Sequence, residues 1–196
     1  MTQILRNFDN ESLKDKSYSA SNYFNLPEGA PYQLIEGDLI MSPSPKRLHQ
    51  ALLMSLADSV YNHVKKNNSG YVYPSPIDVY LDDKNAYQPD IVFVSKENSS
   101  ILREGGIDGA PDLVVEILSS SSKDYDAIRK KAVYERTGVK EYIIVDPDNK
   151  TVESFINNES KKFTQFQKQD YKKNGGKFLI KTLSLEIDLG ELSKAE

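Results

Sequence analysis

The chain has no cysteine and only two histidines, His49 and His63, among its 196 residues. Without cysteine there is no disulfide, no thiolate nucleophile and no cysteine zinc site. Two histidines likewise exclude a histidine-rich metal centre. Any metal would therefore sit on carboxylates, which favour Mg²⁺, Mn²⁺ or Ca²⁺. Long apolar runs are missing as well. No stretch approaches the roughly 20 apolar residues of a membrane span, and the N-terminal MTQILRNFDNESLKDKS lacks the apolar core of a secretion signal. The expectation is a cytoplasmic protein with no membrane partner. Apolar content is also low, at 38% against 28% charged residues. That suffices for one core in a chain of single-domain length.

A formal charge of −4 argues against a coat of nucleic acid over the whole surface. It leaves room for a local basic face, because carboxylate ligands lower the net charge while a patch elsewhere does the binding. Lysines gather in 161–181, where seven of them stand against Asp170 alone. The patch is either a phosphate-binding face or an ordinary solvated surface.

Residues 1–20 lack periodicity and are rich in Asn, Asp, Lys and Ser, which reads as an arm ahead of a single domain over 21–196. YQLIEGDLIM (32–41) reads as a β-hairpin turning at Glu36-Gly37-Asp38. From Lys46 to Lys66, Leu48, Leu52, Leu56, Val60 and Val64 recur every fourth residue, which predicts the longest helix, stopped by Asn67 to Gly70. YVYP (71–74) and IDVYL (77–81) alternate like half-buried strands, and YQPDIVFVS (87–95) reads as another strand. A Ser-, Asn- and Gly-rich loop covers 96–110. PDLVVEILS (111–119) and EYIIVDP (141–147) are strands separated by a helix from Tyr125 to Thr137. The predicted fold class is α/β, a mixed β-sheet flanked by helices.

Two carboxylates stand out. Asp90 follows Pro89 and opens the apolar run IVFV, either as a strand-entry turn or as a functional group. Glu116 interrupts LVVEIL, where an ionised carboxylate is costly unless it is paired, binds a metal or faces water from an edge strand. Adjacent strands lie about 4.8 Å apart, so Asp90 and Glu116 could share one ion. Asp112, the other Pro-Asp, lies about 13 Å from Glu116 along the same strand, too far for that. Clustered carboxylates repel until a cation binds, so Glu116→Gln is expected to leave the fold intact or more stable. On the helix that follows, Asp126 and Lys130 share a face. They form either a surface ion pair or, with Lys130 turned inward, a cation beside the carboxylates.

These segments carry a resemblance. YQLIEGDLIMSPSPKRLHQ, QPDIVFV, GAPDLVVEILSSSS, the Asp126/Lys130 pair before Tyr134, and TGVKEYIIVDP occur in the order seen in the Uma-two family, a restriction-endonuclease branch of the PD-(D/E)XK nuclease superfamily. The sequence resembles that family from about residue 32 to 147. The resemblance implies a restriction-endonuclease-like core and a Mg²⁺-dependent endonuclease, with Mn²⁺ as the substitute ion. Asp90 and Glu116 would hold the metal, Lys130 would be catalytic, and His49 would match a family position at the start of the long helix. The superfamily's usual lysine position, two residues after the glutamate, is Leu118 here. The family's usual glutamate in the first hairpin is Gln33, with Glu36 and Asp38 nearby as substitutes. The Ile117 carbonyl would complete the protein ligands, and Asp126 would support Lys130. An unperturbed lysine, near 10.4, is a poor general base at neutral pH, so an electrostatic role is expected for Lys130. Lys131, Lys172 and Lys173 are the expected phosphate contacts. The expected partners are nucleic acid, DNA foremost, and a second copy of the chain. Gln33 and Leu118 keep open a nucleic-acid-binding or regulatory domain without turnover, and the twelve tyrosines a plain interaction module.

Overall fold

The computed structural model describes residues 17–42, 44–119, 125–171 and 176–190, with backbone only for 125–127. In chain order the elements are α1 (Ala20–Phe24), β1 (Tyr32–Ile35), β2 (Asp38–Met41), α2 (Arg47–Asn67), β3 (Gly70–Pro74), β4 (Val79–Asp82), β5 (Asn85–Tyr87), β6 (Ile91–Ser95), β7 (Leu102–Arg103), β8 (Gly106–Asp108), β9 (Leu113–Ile117), α3 (Lys131–Thr137), β10 (Glu141–Asp146), β11 (Thr151–Asn157), β12 (Phe163–Asp170), β13 (Lys177–Ile180) and β14 (Leu185–Asp188). The central sheet runs β12-β11-β10-β9-β6-β3, and a second runs β2-β1-β5-β4-β8-β7. In the central sheet β9 and β10 are parallel and the other neighbours antiparallel. The fold is α/β with mixed sheets flanked by helices, as the sequence predicts.

The helix α2 forms where the four-residue stripe predicts it. Leu52, Leu56, Val60 and Val64 are buried against Ile91, Phe93, Leu113, Val115 and Ile117 of the central sheet. Fully burying one such side chain contributes about 1.5–3 kcal/mol, so this face, rather than helix propensity, holds α2 in place. Asn68 ends it in the left-handed conformation, φ 51°, with Lys65 and Lys66 in the last turn, where cations suit the helix dipole. Val92, Val114 and Leu118 face the other way, into a second core with Val133, Tyr134 and Tyr142. Alternation along β9 thus commits Val115 and Ile117 to the α2 side and Glu116 to the α3 side.

Three elements differ from the sequence reading. The run 87–95 is two strands: β5 ends in the second sheet at Tyr87, β6 begins in the central sheet at Ile91, and Gln88-Pro89-Asp90 carries the chain between them. Pro89 has no N–H to give a ladder, which favours the break there. The 96–110 loop contains a 3₁₀ turn at Ser99–Ile101 and the short strands β7 and β8. Strands of two and three residues are too brief to show alternation. The predicted helix over 125–137 starts as a π-helical turn, Tyr125–Lys130, and becomes α-helical only from Lys131. Gly138 caps it at φ 100°, as its position predicts.

Candidate active site

Asp90 sits where the chain enters the central sheet. Ile91 lies across from Val115, so one further step along the register sets Asp90 beside Glu116, and direct cross-strand neighbours share a face. Asp90 is buried, and its Oδ2 accepts the main-chain N–H of Ile117 at 2.7 Å. The same oxygen lies 3.2 Å from Nε2 of His49, which reaches in from the first turn of α2. Both bonds fall on Oδ2, leaving Oδ1 without one among the described residues.

Glu116 is only 3% exposed, and its partners are unusual for a strand carboxylate. Lys130, itself 3% exposed, places Nζ 3.1 Å from Oε1. The hydroxyl of Tyr134 donates to that oxygen at 2.8 Å. Lys130 comes from the last residue of the π turn and Tyr134 from the first turn of α3. The Lys130 ammonium also lies 5.6 Å from the centre of the Tyr87 ring, which meets Tyr134 edge-on at 5.5 Å. Burial, reinforced by the Glu116 charge, holds the Tyr134 phenol well above the usual range, so it acts as a hydrogen-bond donor. Burial does the same to Tyr87.

The donor set is all oxygen, which suits a hard cation. Among the described residues no three histidines or carboxylates gather as a metal group. Two carboxylates and water nevertheless match the manner in which Mg²⁺ is usually held. Of the two Asp90 oxygens, Oδ1 is the one that takes neither the Ile117 nor the His49 contact. The residues fit the ion.

The other residues singled out by sequence lie in several places. Glu36 forms the exposed tip of the first hairpin at φ 52°, its N–H donating to Asn85 Oδ1 at 3.0 Å; Asp38 is also exposed. Asp126 lies in the π turn, its side chain outside the description, while Lys130 is paired with Glu116. The Lys131 ammonium sits 3.3 Å from the centre of the Phe155 ring. Burial lowers its pKa, against the raising effect of Glu153 and Glu135. Lys172 and Lys173 lie outside the described residues. Gln33 bridges two segments: its amide donates to Ser42 Oγ at 2.7 Å and accepts the Gln88 N–H at 3.0 Å. Leu118 is buried in the core on the α3 side. Sequence reasoning passed over Tyr134 as a site residue. Its one signal was its place four residues after Lys130, one helical turn along the same face.

Strand-end carboxylates beside a buried lysine, on a mixed sheet flanked by helices, define a restriction-endonuclease-like α/β core. A family model described as "Putative restriction endonuclease" matches residues 20–190, and the chain belongs to this Uma-two family. A crystal structure of a putative nuclease from Anabaena variabilis is similar over 90% of this chain and 98% of that one, with a TM-score of 0.74 at 20% identity. The type IIG restriction endonuclease BpuSI matches at a TM-score of 0.40 and 13% identity, over 80% of this chain and 17% of that one. No curated protein matches the chain. Among the described residues no helix is long and apolar enough to cross a membrane.

Proposed function

We propose that the chain is a Mg²⁺-dependent endonuclease that hydrolyses phosphodiester bonds of nucleic acid, DNA foremost, and works as a homodimer in the cytoplasm. The observation that carries this reading is the buried Glu116 carboxylate, held by Lys130 and Tyr134 directly across the strand register from Asp90. A buried charge of that kind is costly to maintain, and strand packing alone gives no reason for it.

In this reading Asp90 and Glu116 are the carboxylates offered to Mg²⁺ or Mn²⁺, with the Ile117 carbonyl as a third ligand. A strand residue's N–H and C=O lie on one side, so this carbonyl faces the side on which Asp90 takes the N–H. When bound, such an ion lowers the pKa of water and offsets phosphate charge. The chain's own groups then divide the remaining work. His49 orients Asp90 through Oδ2. Lys130, on a flexible four-carbon stem, turns from Glu116 toward the scissile phosphate and stabilises charge building on its oxygens as water attacks and the P–O bond breaks. Phosphate contacts fall to lysines such as Lys131, Lys172 and Lys173, so binding should weaken steeply with salt.

The second reading, a nucleic-acid-binding or regulatory domain without turnover, is favoured by Leu118 at the superfamily's lysine position and by Gln33 in the hairpin. Incubating the protein with plasmid, single-stranded DNA and RNA, with Mg²⁺ or with EDTA, separates the two. The nuclease reading expects cleavage that EDTA, Asp90→Asn and Lys130→Met each abolish. Cleavage surviving in Asp90→Asn would remove the site from the mechanism, and salt-sensitive binding with no cleavage of any substrate would favour the second reading.

A further inference from the structure

We infer that Tyr134 is a positioning residue for the metal site, fixing the Glu116 carboxylate so that it meets a divalent cation in one orientation; this rests on the nuclease reading above. Lys130 and Tyr134 both bond the same oxygen, Oε1, at 3.1 and 2.8 Å. The two donors are not equivalent. The lysine can swing away: a metal entering the site competes with it for the carboxylate, and a phosphate competes with the carboxylate for it. The tyrosine cannot. It is fully buried, its ring meets Tyr87 edge-on at 5.5 Å and Tyr142 at 5.0 Å, and it is anchored on α3 one helical turn after Lys130. When Lys130 leaves Glu116, the Tyr134 hydroxyl still holds Oε1 in place. Without it, Oε1 would lose the donor that stays when the lysine leaves, just when the carboxylate must present a fixed ligand. Donors behind a metal-binding carboxylate matter to affinity: losing one typically costs about 10–100-fold.

The test is Mn²⁺ titration of the intact protein followed by calorimetry, with thermal melting measured alongside. Tyr134→Phe keeps the ring and removes only the donor, so it should weaken Mn²⁺ binding by about ten-fold or more. A matched comparison is Ser154→Ala, which removes another buried hydroxyl-to-carboxylate bond, Ser154 Oγ to Glu141 at 2.7 Å, on the β10–β11 pair away from Glu116. That variant should melt lower yet bind Mn²⁺ like the wild type. If Tyr134→Phe binds Mn²⁺ with wild-type affinity, the positioning role is wrong while the nuclease reading stands. If the wild type binds no Mn²⁺, both fall together. Should Tyr134→Phe fail to fold, wild-type protein carrying ¹³C at the oxygen-bearing ring carbon of tyrosine supplies the answer. The signal perturbed in Glu116→Gln, assigned to Tyr134, must shift when Mg²⁺ is added to the wild type, and a static signal overturns the proposal.

Discussion

The two ends of β9 hold carboxylates in opposite ways. At its start, Asp112 is 1% exposed and accepts the Ser95 N–H at 2.7 Å and the Asn98 amide at 3.2 Å, while Lys140 reaches its other oxygen at 2.5 Å. Beside it Glu141, wholly buried, takes the Ser154 hydroxyl and the N–H groups of Lys181 and Thr182. At the far end Glu116 is met by a buried ammonium and a phenol. Main-chain donors cannot leave, so the first end is a lock between elements. An ammonium on a flexible stem can leave, so the second end can exchange its partner for another cation. Both Pro-Asp motifs sit at these ends and both accept a main-chain N–H, so what separates the ends is the buried ammonium that meets Glu116.

The largest effect expected from this contrast is at Lys130. Removing one partner of a buried ion pair typically costs about 3–5 kcal/mol, so Lys130→Met should destabilise the metal-free protein by that order in urea unfolding. By the same reasoning Glu116→Gln takes from the buried Lys130 ammonium its carboxylate charge. The sequence alone, which suggests repelling carboxylates, points to a neutral or stabilising change; the Lys130 pairing reverses the sign. A Lys130→Met protein as stable as wild type would show that the pair contributes nothing.

At the other end, Asp112→Asn should cost less, about 1–3 kcal/mol, the range for leaving buried polar groups poorly matched. Its pH dependence is the sharper test. Burial pushes the Asp112 carboxyl up, but the bonds from Lys140 and the Ser95 N–H outweigh it and hold it below the usual carboxylate range. A carboxyl lowered in the folded state contributes its full stability above the unfolded value near 3.9, and that contribution is lost as pH falls through the lower folded value. Unfolding measured from neutral pH down to acid should therefore show a steeper loss in wild type than in Asp112→Asn. Identical slopes would contradict the lock.

Much of this was legible in the chain. The four-residue stripe of α2 and the hairpin at Glu36-Gly37 follow from periodicity and turn chemistry, and both form as predicted. Glu116 announces itself as a charge in an apolar strand. The site's other half was not legible. That 87–95 changes sheets at Pro89 depends on where β5 and β6 find partners, which no local pattern records. The π turn ahead of α3 is invisible to a helical periodicity, and so is the inward aim of Lys130, since the same spacing serves a surface pair. Gln33 shows the limit from the other side: a substitution that looks functional in sequence has a structural task, tying the hairpin to Gln88, two residues before Asp90.

That task predicts the smallest effect. Gln33→Glu keeps the acceptor for the Gln88 N–H, and the Ser42 hydroxyl can turn to donate instead. Stability should change by no more than about 0.5 kcal/mol, measured by urea unfolding near neutral pH. A loss of several kcal/mol would mean that the donating half of the amide, rather than the accepting half, holds the hairpin.

The measurement that bears most directly on the exchangeable end of β9 is thermal unfolding with and without Mg²⁺, in wild type and Asp90→Asn. The substituted amide would still offer an oxygen to the Ile117 N–H, so the fold should survive the change. A ligand at about 100 times its Kd stabilises the folded state by about 2.7 kcal/mol, which for a chain of this size is a rise of about 5–10 °C in Tm. The wild type should show such a rise and Asp90→Asn little or none. Equal rises in both proteins, or no rise in either, would contradict a cation site built on Asp90 and Glu116.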